Sequence, residues 1–185
     1  MRTEKANRVF TLLLVVTDAS MAGLAFAAAY LLRRFVSFPD PAEEMRSFAE
    51  YSPMLVIHVL SLLGVLYSAR LYNLSRASRM DEFTGVAASS TIGTLIGVAV
   101  ASLSLRGFVV GRDYSRVMVA YAWLLSTILI VAGRLLNGWL RRYLIRRGWG
   151  RRKVIVVGLG DVARMIVQKI LWAPELGYDA VGVVS

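Results

Sequence analysis

Residues 117–136 read VMVAYAWLLSTILIVAGRLL, a run of 20 residues in which Arg134 is the only charge. A helix needs about 20 largely apolar residues to cross the roughly 30 Å of hydrocarbon in a bilayer. Three further apolar runs precede this one in the chain of 185 residues. The sequence therefore predicts an α-helical membrane protein with a bundle of four transmembrane helices in residues 1–140. The predicted spans are residues 9–32, 53–69, 83–105 and 117–136.

The composition fits a chain that lies mostly in lipid. Hydrophobic residues make up 57% of it and charged residues 18%, whereas a soluble domain is usually about 45–50% apolar and about 25% charged. Cysteine is absent, which excludes disulfides, a thiol nucleophile and cysteine-based metal sites. The net charge of +10 could indicate nucleic-acid binding, but the arginines flank the apolar runs instead of forming one soluble basic face. We therefore predict the lipid bilayer as a partner, and no nucleic acid.

The distribution of Lys and Arg between alternate loops predicts the orientation. With the amino terminus inside, 13 of these residues lie on the cytoplasmic side and six on the outer side. An excess of positive charge marks the cytoplasmic side of a membrane protein. Because four spans return the chain to the side on which it started, both termini are predicted to be cytoplasmic.

Three polar residues inside the predicted spans need a partner or a route to water. Asp18 lies nine residues after Val9, about 13 Å into the bilayer at 1.5 Å per residue. We expect it to be buried and either hydrogen-bonded to Ser or Thr of a neighbouring helix or protonated, with a lipid-phosphate or proton site as the alternative. His58 is predicted near the outer end of its span, within reach of interfacial water. Arg134 is predicted to extend to the headgroups as an anchor.

Gly93 and Gly97 form a G-x-x-x-G motif in the third span. Small residues four apart let two helix backbones approach closely in lipid. We interpret the motif as packing within the bundle, with a homodimer contact as the alternative.

Beyond the membrane the chain changes character. Residues 141–153 contain seven basic residues and are predicted to be a cytoplasmic linker. The β-branched run at residues 154–157 predicts a buried parallel strand. A glycine turn in a G-x-G-x-x-A motif, an amphipathic helix to about Trp172 and a second strand from Ala180 follow. This order is typical of the start (βαβ) of a Rossmann-like α/β domain, here residues 154–185.

Gly158 and Gly160 of the turn are the candidate cofactor-binding residues, because such a turn lets the N-terminus of the following helix hold a phosphate. We expect a turn that only brings helix and strand close together, with a bound nucleotide as the alternative. The acidic residue that usually contacts the ribose would lie about 20 residues further on, beyond Ser185. Two strands and one helix are too few for a stable sheet layer, so we expect the sequence to be a truncated part of a longer protein.

Several segments resemble one protein family. They are Arg70-Leu71-Tyr72, Asp113-Tyr114-Ser115-Arg116, Gly133-Arg134, the join at residues 151–160, Pro174-Glu175-Leu176-Gly177-Tyr178 and Val181-Gly182-Val183-Val184. Over essentially its whole length the chain resembles the amino-terminal half of bacterial polyprenyl-phosphate hexose-1-phosphate transferases. The resemblance implies a place in the bacterial inner (cytoplasmic) membrane, an anchoring and scaffolding role, and a Rossmann-like, CoA-binding-like module.

That family transfers a hexose 1-phosphate from a UDP-sugar to undecaprenyl phosphate in the synthesis of exopolysaccharide, capsule or O-antigen. The resemblance implies a separate carboxyl-terminal catalytic domain that uses Mg²⁺ and contacts undecaprenyl phosphate and the UDP-sugar. The segments of that domain are not in this sequence. No catalytic residue, metal ligand or cofactor of this chain therefore follows from the resemblance, and whether the chain is an enzyme stays open.

Two other functions stay open as well. A membrane-bound nucleotide-sugar 4,6-dehydratase looks similar through the same region, although Tyr114-Ser115-Arg116 favours the transferase. The third interpretation is a non-enzymatic membrane scaffold or regulator that binds a nucleotide or a partner through the Rossmann-like unit. Sequence downstream of Ser185 would distinguish the three.

Overall fold

Four long helices make up most of the structure. The computed structural model describes residues 2–36, 47–72, 79–104, 116–147, 152–158, 160–172 and 178–184. The long helices in these ranges are α1 (Arg2–Phe35), α2 (Phe48–Ser68), α3 (Arg79–Ser104) and α4 (Arg116–Arg146). All four are long and apolar enough to cross a membrane. In the described part of the chain, this confirms the predicted multi-pass helical membrane protein and the number of its candidate spans.

Two of the helices extend well past the predicted spans. α1 has 34 residues and α4 has 31, against the 20 or so that a bilayer requires. α4 continues to Arg146 and so takes the first residues of the predicted linker at 141–153 into its last turns. Polar residues can continue a helix once it has left the hydrocarbon, so apolar character alone does not locate its end.

α2 begins at Phe48, upstream of Pro53, the predicted start of this span. Proline lacks the N–H that would bond to the carbonyl four residues earlier in a helix. Here that carbonyl belongs to Ala49, and the Ser52 hydroxyl donates to it at 2.7 Å. The helix can therefore start before the proline with this acceptor satisfied.

Two apolar clusters hold together the compact unit that covers Leu14–Arg134. The first consists of Phe26, Ala29, Tyr30, Tyr51, Met54, Met118 and Ala122. The second consists of Ala22, Leu62, Leu66, Leu71, Val86 and Ile130. The first cluster draws on three helices and the second on all four, so the bundle has a core to which each helix contributes.

The G-x-x-x-G motif of α3 packs against α2. A Cβ on Gly93 would lie 2.9 Å from Leu62 Cδ2 and 3.0 Å from Leu62 Cα, closer than side chains tolerate. A Cβ on Gly97 would lie 3.6 Å from Ser61, an ordinary contact. Packing within the bundle is therefore confirmed for this motif, and it depends on the missing side chain at Gly93.

The second compact unit, residues 1–13 with 135–185, contains the sheet. Its elements are β1 (Arg152–Val157), α5 (Asp161–Trp172) and β2 (Tyr178–Val184). The strands are parallel, with a register shift between Val154 and Ile155. Parallel strands need a crossover connection, usually a helix, and α5 occupies that position. The local elements follow the predicted order, but two short strands do not establish a Rossmann-like domain, which stays a prediction.

Candidate functional site

The strongest candidate for a functional site is a buried ion pair between α1 and α4. Asp18 is fully buried and Arg134 is 6% exposed. Arg134 Nη2 donates to Asp18 Oδ2 at 2.6 Å, and Nε donates to Oδ1 at 3.3 Å. The guanidinium thus engages both carboxylate oxygens. Bidentate pairing of this kind adds geometric specificity to a charge-assisted hydrogen bond.

Arg134 also contacts two further elements of the bundle. Its Nη1 donates to the Leu71 carbonyl oxygen at 3.2 Å and to Glu82 Oε1 at 3.3 Å. The centroid of the Tyr72 ring lies 5.4 Å from Arg134 Cζ, within the range of a cation–π contact. One guanidinium therefore joins α1, α3, α4 and the turn that follows α2.

The turn after α2 presents the Leu71 carbonyl because α2 ends in a Schellman motif. The Leu71 N–H donates to the Leu66 carbonyl at 3.1 Å, and the Arg70 N–H donates to the Tyr67 carbonyl at 2.9 Å. Arg70 has φ 54°, the left-handed conformation that glycine usually takes at this position. Leu71 is buried with Leu66 in the second apolar cluster, which is the hydrophobic contact typical of this motif. The segment from Arg70 to Tyr72 is thus a helix cap that supplies one acceptor of the site.

Gly133 lets α4 approach α1 one residue before the ion pair. A Cβ at this position would lie 3.0 Å from Thr17 Cγ2 and 3.1 Å from Met21 Cγ. These distances are shorter than ordinary contacts, so a side chain would press against α1. Gly133 therefore allows α4 to approach α1 closely, and this approach brings the charge of Arg134 to Asp18.

The charges at the site are unequally buried. The Glu82 side chain is 42% exposed, whereas that of Asp18 is fully buried. Burial raises the pKa of the Tyr72 hydroxyl above its ordinary value, and the Asp18 carboxylate raises that pKa further. Tyr72 therefore keeps its proton at neutral pH and adds no negative charge. Asp18 is the principal counter-charge of Arg134, and Glu82 is a weaker, solvent-screened one.

The geometry favours positioning over catalysis. Nε, Nη1 and Nη2 of Arg134 make four hydrogen bonds to protein acceptors, and a guanidinium has five N–H donors. Little donor capacity remains for the phosphate of a substrate. The arrangement is suited to holding three helices and one turn in a fixed register.

The structure corrects two of the predictions for polar residues in the spans. Arg134 does not extend outward as an anchor, because its side chain is buried and donates to Asp18, Glu82 and the Leu71 carbonyl. Asp18 is buried as predicted, but its partner is an arginine and not a Ser or Thr. A signal for the pair was present in the sequence. Each residue is the only charge of its predicted span, the charges are opposite, and charges inside membranes pair with one another.

His58 also differs from its prediction. It is 6% exposed inside the bundle, its Nε2 lies 3.0 Å from Ser126 Oγ, and its ring centroid lies 5.6 Å from that of Phe26. The predicted contact with interfacial water is wrong because α2 begins at Phe48, which places His58 in the middle of its helix. A cavity of about 10 Å³ beside it is near the smallest size that holds one water, too small for a nucleotide or a sugar.

The predicted cofactor-binding glycines lie between β1 and α5. Gly158 has φ +134° and Gly160 has φ +121°, a backbone conformation that residues with a Cβ rarely adopt. Among the described residues, nothing would lie within 4 Å of a Cβ at either position, so the backbone conformation is what calls for glycine there. Nucleotide binding at this turn stays a prediction.

No group of three or more His, Cys, Asp or Glu side chains in the described residues is placed to hold a metal ion. No protein-family model and no curated protein matches this chain.

Proposed function

We propose that this chain is the membrane-anchoring and scaffolding part of a bacterial sugar transferase. The complete enzyme would move a hexose 1-phosphate from a UDP-sugar to undecaprenyl phosphate in the inner membrane, using Mg²⁺ in a domain outside this sequence. The observation that carries the scaffolding role is the ion pair of Asp18 and Arg134. It connects three helices and a turn through groups that are satisfied within the protein.

The resemblance to the transferases includes segments that meet at this site. Two of the segments that carry it, Arg70-Leu71-Tyr72 and Gly133-Arg134, contribute to one buried network although they lie more than 60 residues apart. The first supplies the Leu71 carbonyl and the Tyr72 ring, and the second supplies the guanidinium. Residues that meet in this way have a shared structural reason to occur together in one sequence. Apolar residues exposed on the four helices, such as Leu60, Leu103 and Leu124, provide the surface for lipid.

The orientation of the scaffold is part of the proposal. Both termini face the cytoplasm, as the distribution of Lys and Arg predicts. Single cysteines introduced at Ser47 and Ser78 should react with a membrane-impermeant thiol reagent in intact cells at position 47, and at position 78 only after permeabilisation. The opposite pattern would refute the orientation.

Activity assays test the function. Membranes that contain this chain alone are expected to transfer no sugar phosphate from UDP-sugars to undecaprenyl phosphate. Membranes that contain the chain with the coding sequence following Ser185 are expected to form the lipid-linked sugar diphosphate. A nucleotide-bound 4-keto-6-deoxy sugar as the product would establish the dehydratase alternative, and the absence of both products would favour a non-enzymatic scaffold.

A control tests whether the chain alone has catalytic activity. Turnover by the 185-residue chain that disappears on replacing Asp81, Glu82, Asp161, Glu175 or Asp179 would show that catalysis resides in this chain. The proposal would then be wrong in assigning it elsewhere.

A further inference from the structure

The last turns of α4, together with Arg147 directly after the helix, expose a ridge of aromatic and basic side chains. The rings of Trp139 and Tyr143 are stacked, with centroids 5.8 Å apart and an interplanar angle of 15°. Arg147 Cζ lies 4.7 Å from the centroid of the Tyr143 ring. Residues four apart share one face of a helix, so these three side chains form a ladder. Arg142 lies beside the ladder, and we call the four residues together the α4 ridge.

The ridge is accessible and follows an apolar surface on the same helix. Trp139 is 58% exposed and Tyr143 42% exposed, and both arginines are exposed. Leu135 and Leu136, one turn earlier, are 58% and 60% exposed. Along α4 the exposed side chains therefore change from aliphatic to aromatic and then to basic. Aromatic residues favour the membrane–water interface, and basic residues favour the headgroups just beyond it.

The length of α4 agrees with this placement. Its 31 residues extend about 46 Å at 1.5 Å per residue, which exceeds the roughly 30 Å of hydrocarbon. At least one end of such a helix must lie in the interface or outside it, and the end that carries the aromatic and basic side chains fits that position.

In the part of the chain that the structure describes, no carboxylate balances the positive charge of the ridge. No acidic residue occurs between Asp113 and Asp161. Arg142 Nε donates to the Gly138 carbonyl at 3.2 Å, and Arg147 stacks on Tyr143. Within the described ranges, neither guanidinium pairs with a carboxylate. Both therefore retain donors for an anion from outside the chain.

We propose that the α4 ridge binds the phosphate of an anionic phospholipid headgroup. Arg142 and Arg147 donate hydrogen bonds to the phosphate oxygens, and the stacked rings hold Arg147 in place at the level of the interface. A zwitterionic headgroup brings its own cation to the arginines and binds less well. A basic residue near the membrane surface contributes about fivefold to the affinity for anionic lipid.

Native mass spectrometry of the purified chain with equal amounts of phosphatidylglycerol and phosphatidylcholine tests the proposal. Phosphatidylglycerol should be preferred, and Arg142→Gln or Arg147→Gln should each lower the preference about fivefold. Arg116→Gln is the matched control, because it removes an exposed arginine at the opposite end of the same helix. It should leave the preference unchanged.

Two outcomes would overturn the proposal. One is an unchanged preference in the Arg142→Gln/Arg147→Gln double variant. The other is an equal loss in Arg116→Gln, which would indicate attraction by net charge alone. The double variant with lysine at both positions keeps the charge and should keep at least half of the preference. Circular dichroism and thermal unfolding in the same detergent identify misfolded variants. If a glutamine variant does not fold, the lipid preference of the lysine variant is compared with that of the unaltered chain instead.

Discussion

Replacing Asp18 with asparagine would leave the Arg134 guanidinium buried without its principal counter-charge. Asparagine keeps the size of the side chain and can accept one hydrogen bond, so the change removes mainly the charge. Breaking a buried ion pair by removing one partner costs about 3–5 kcal/mol. Glu82 remains 3.3 Å from Nη1, but its side chain is 42% exposed and water screens it. We therefore expect Asp18→Asn to lower the free energy of unfolding by about 3 kcal/mol, the lower end of that range.

The same geometry predicts a ranking among variants of the site. Glu82→Gln should cost less than about 1 kcal/mol, because exposed ion pairs contribute little. The double variant Asp18→Leu/Arg134→Met should recover at least half of the stability that is lost with Asp18→Leu alone or with Arg134→Met alone. A buried ion pair can often be replaced by apolar residues of similar volume without loss of stability.

Steric trapping, which monitors the reversible unfolding of the chain in bicelles, measures these free energies of unfolding. Ser20→Ala on α1 is the control, because the Ser20 hydroxyl bonds to the Val16 carbonyl on the exposed side of the helix. It should change the stability by less than about 0.5 kcal/mol. Equal losses for Asp18→Asn and Glu82→Gln would refute the reasoning, since they would mean that the buried and exposed carboxylates contribute alike.

Four further changes test the helix packing, the hydrogen bond of His58 and the glycine turn. Gly93→Ala should lower the thermal stability of the bundle, at a cost of about 1–3 kcal/mol from overpacking. Gly97→Ala should be tolerated. Similar effects of the two substitutions would contradict the closer contact at Gly93. Ser126→Ala should cost about 1 kcal/mol in the same unfolding assay, because it removes the hydrogen-bond partner of His58, and an unchanged stability would mean that this bond does not form. Gly158→Val should make the region from β1 to β2 more sensitive to protease, since φ +134° strains a residue that has a Cβ by about 1–3 kcal/mol. Unchanged resistance would indicate a different backbone conformation at the turn.

The four candidate spans follow from the sequence alone because hydrocarbon acts as a uniform solvent. Each crossing segment must satisfy its own backbone as a helix and present apolar side chains to lipid. This requirement is local, so windows of about 20 residues reveal it. The order of strand, glycine turn, helix and strand after the bundle is local in the same way. The positive φ values at Gly158 and Gly160 agree with the use of glycine there.

The ends of the helices were less predictable than their existence. Hydropathy places the start of the second span at Pro53, but α2 begins at Phe48, and the Ser52 hydroxyl satisfies the acceptor that the proline leaves open. This shift of five residues moves His58 from the predicted interface into the middle of its helix. A shift of this size decides whether the His58 side chain lies at the interface or inside the bundle.

The sequence by itself determined which charges must find a partner in the membrane, and only the tertiary structure decided which partner each one takes. Asp18 and Arg134 are 116 residues apart, and no local pattern links them. They meet where α4 closely approaches α1 at Gly133, while the helix cap at Arg70 and the start of α3 supply the other acceptors of Arg134. The physical reason is that desolvation is a property of one residue in its own helix, whereas Coulomb attraction and hydrogen bonding act over a few ångströms and exist only after the helices have packed.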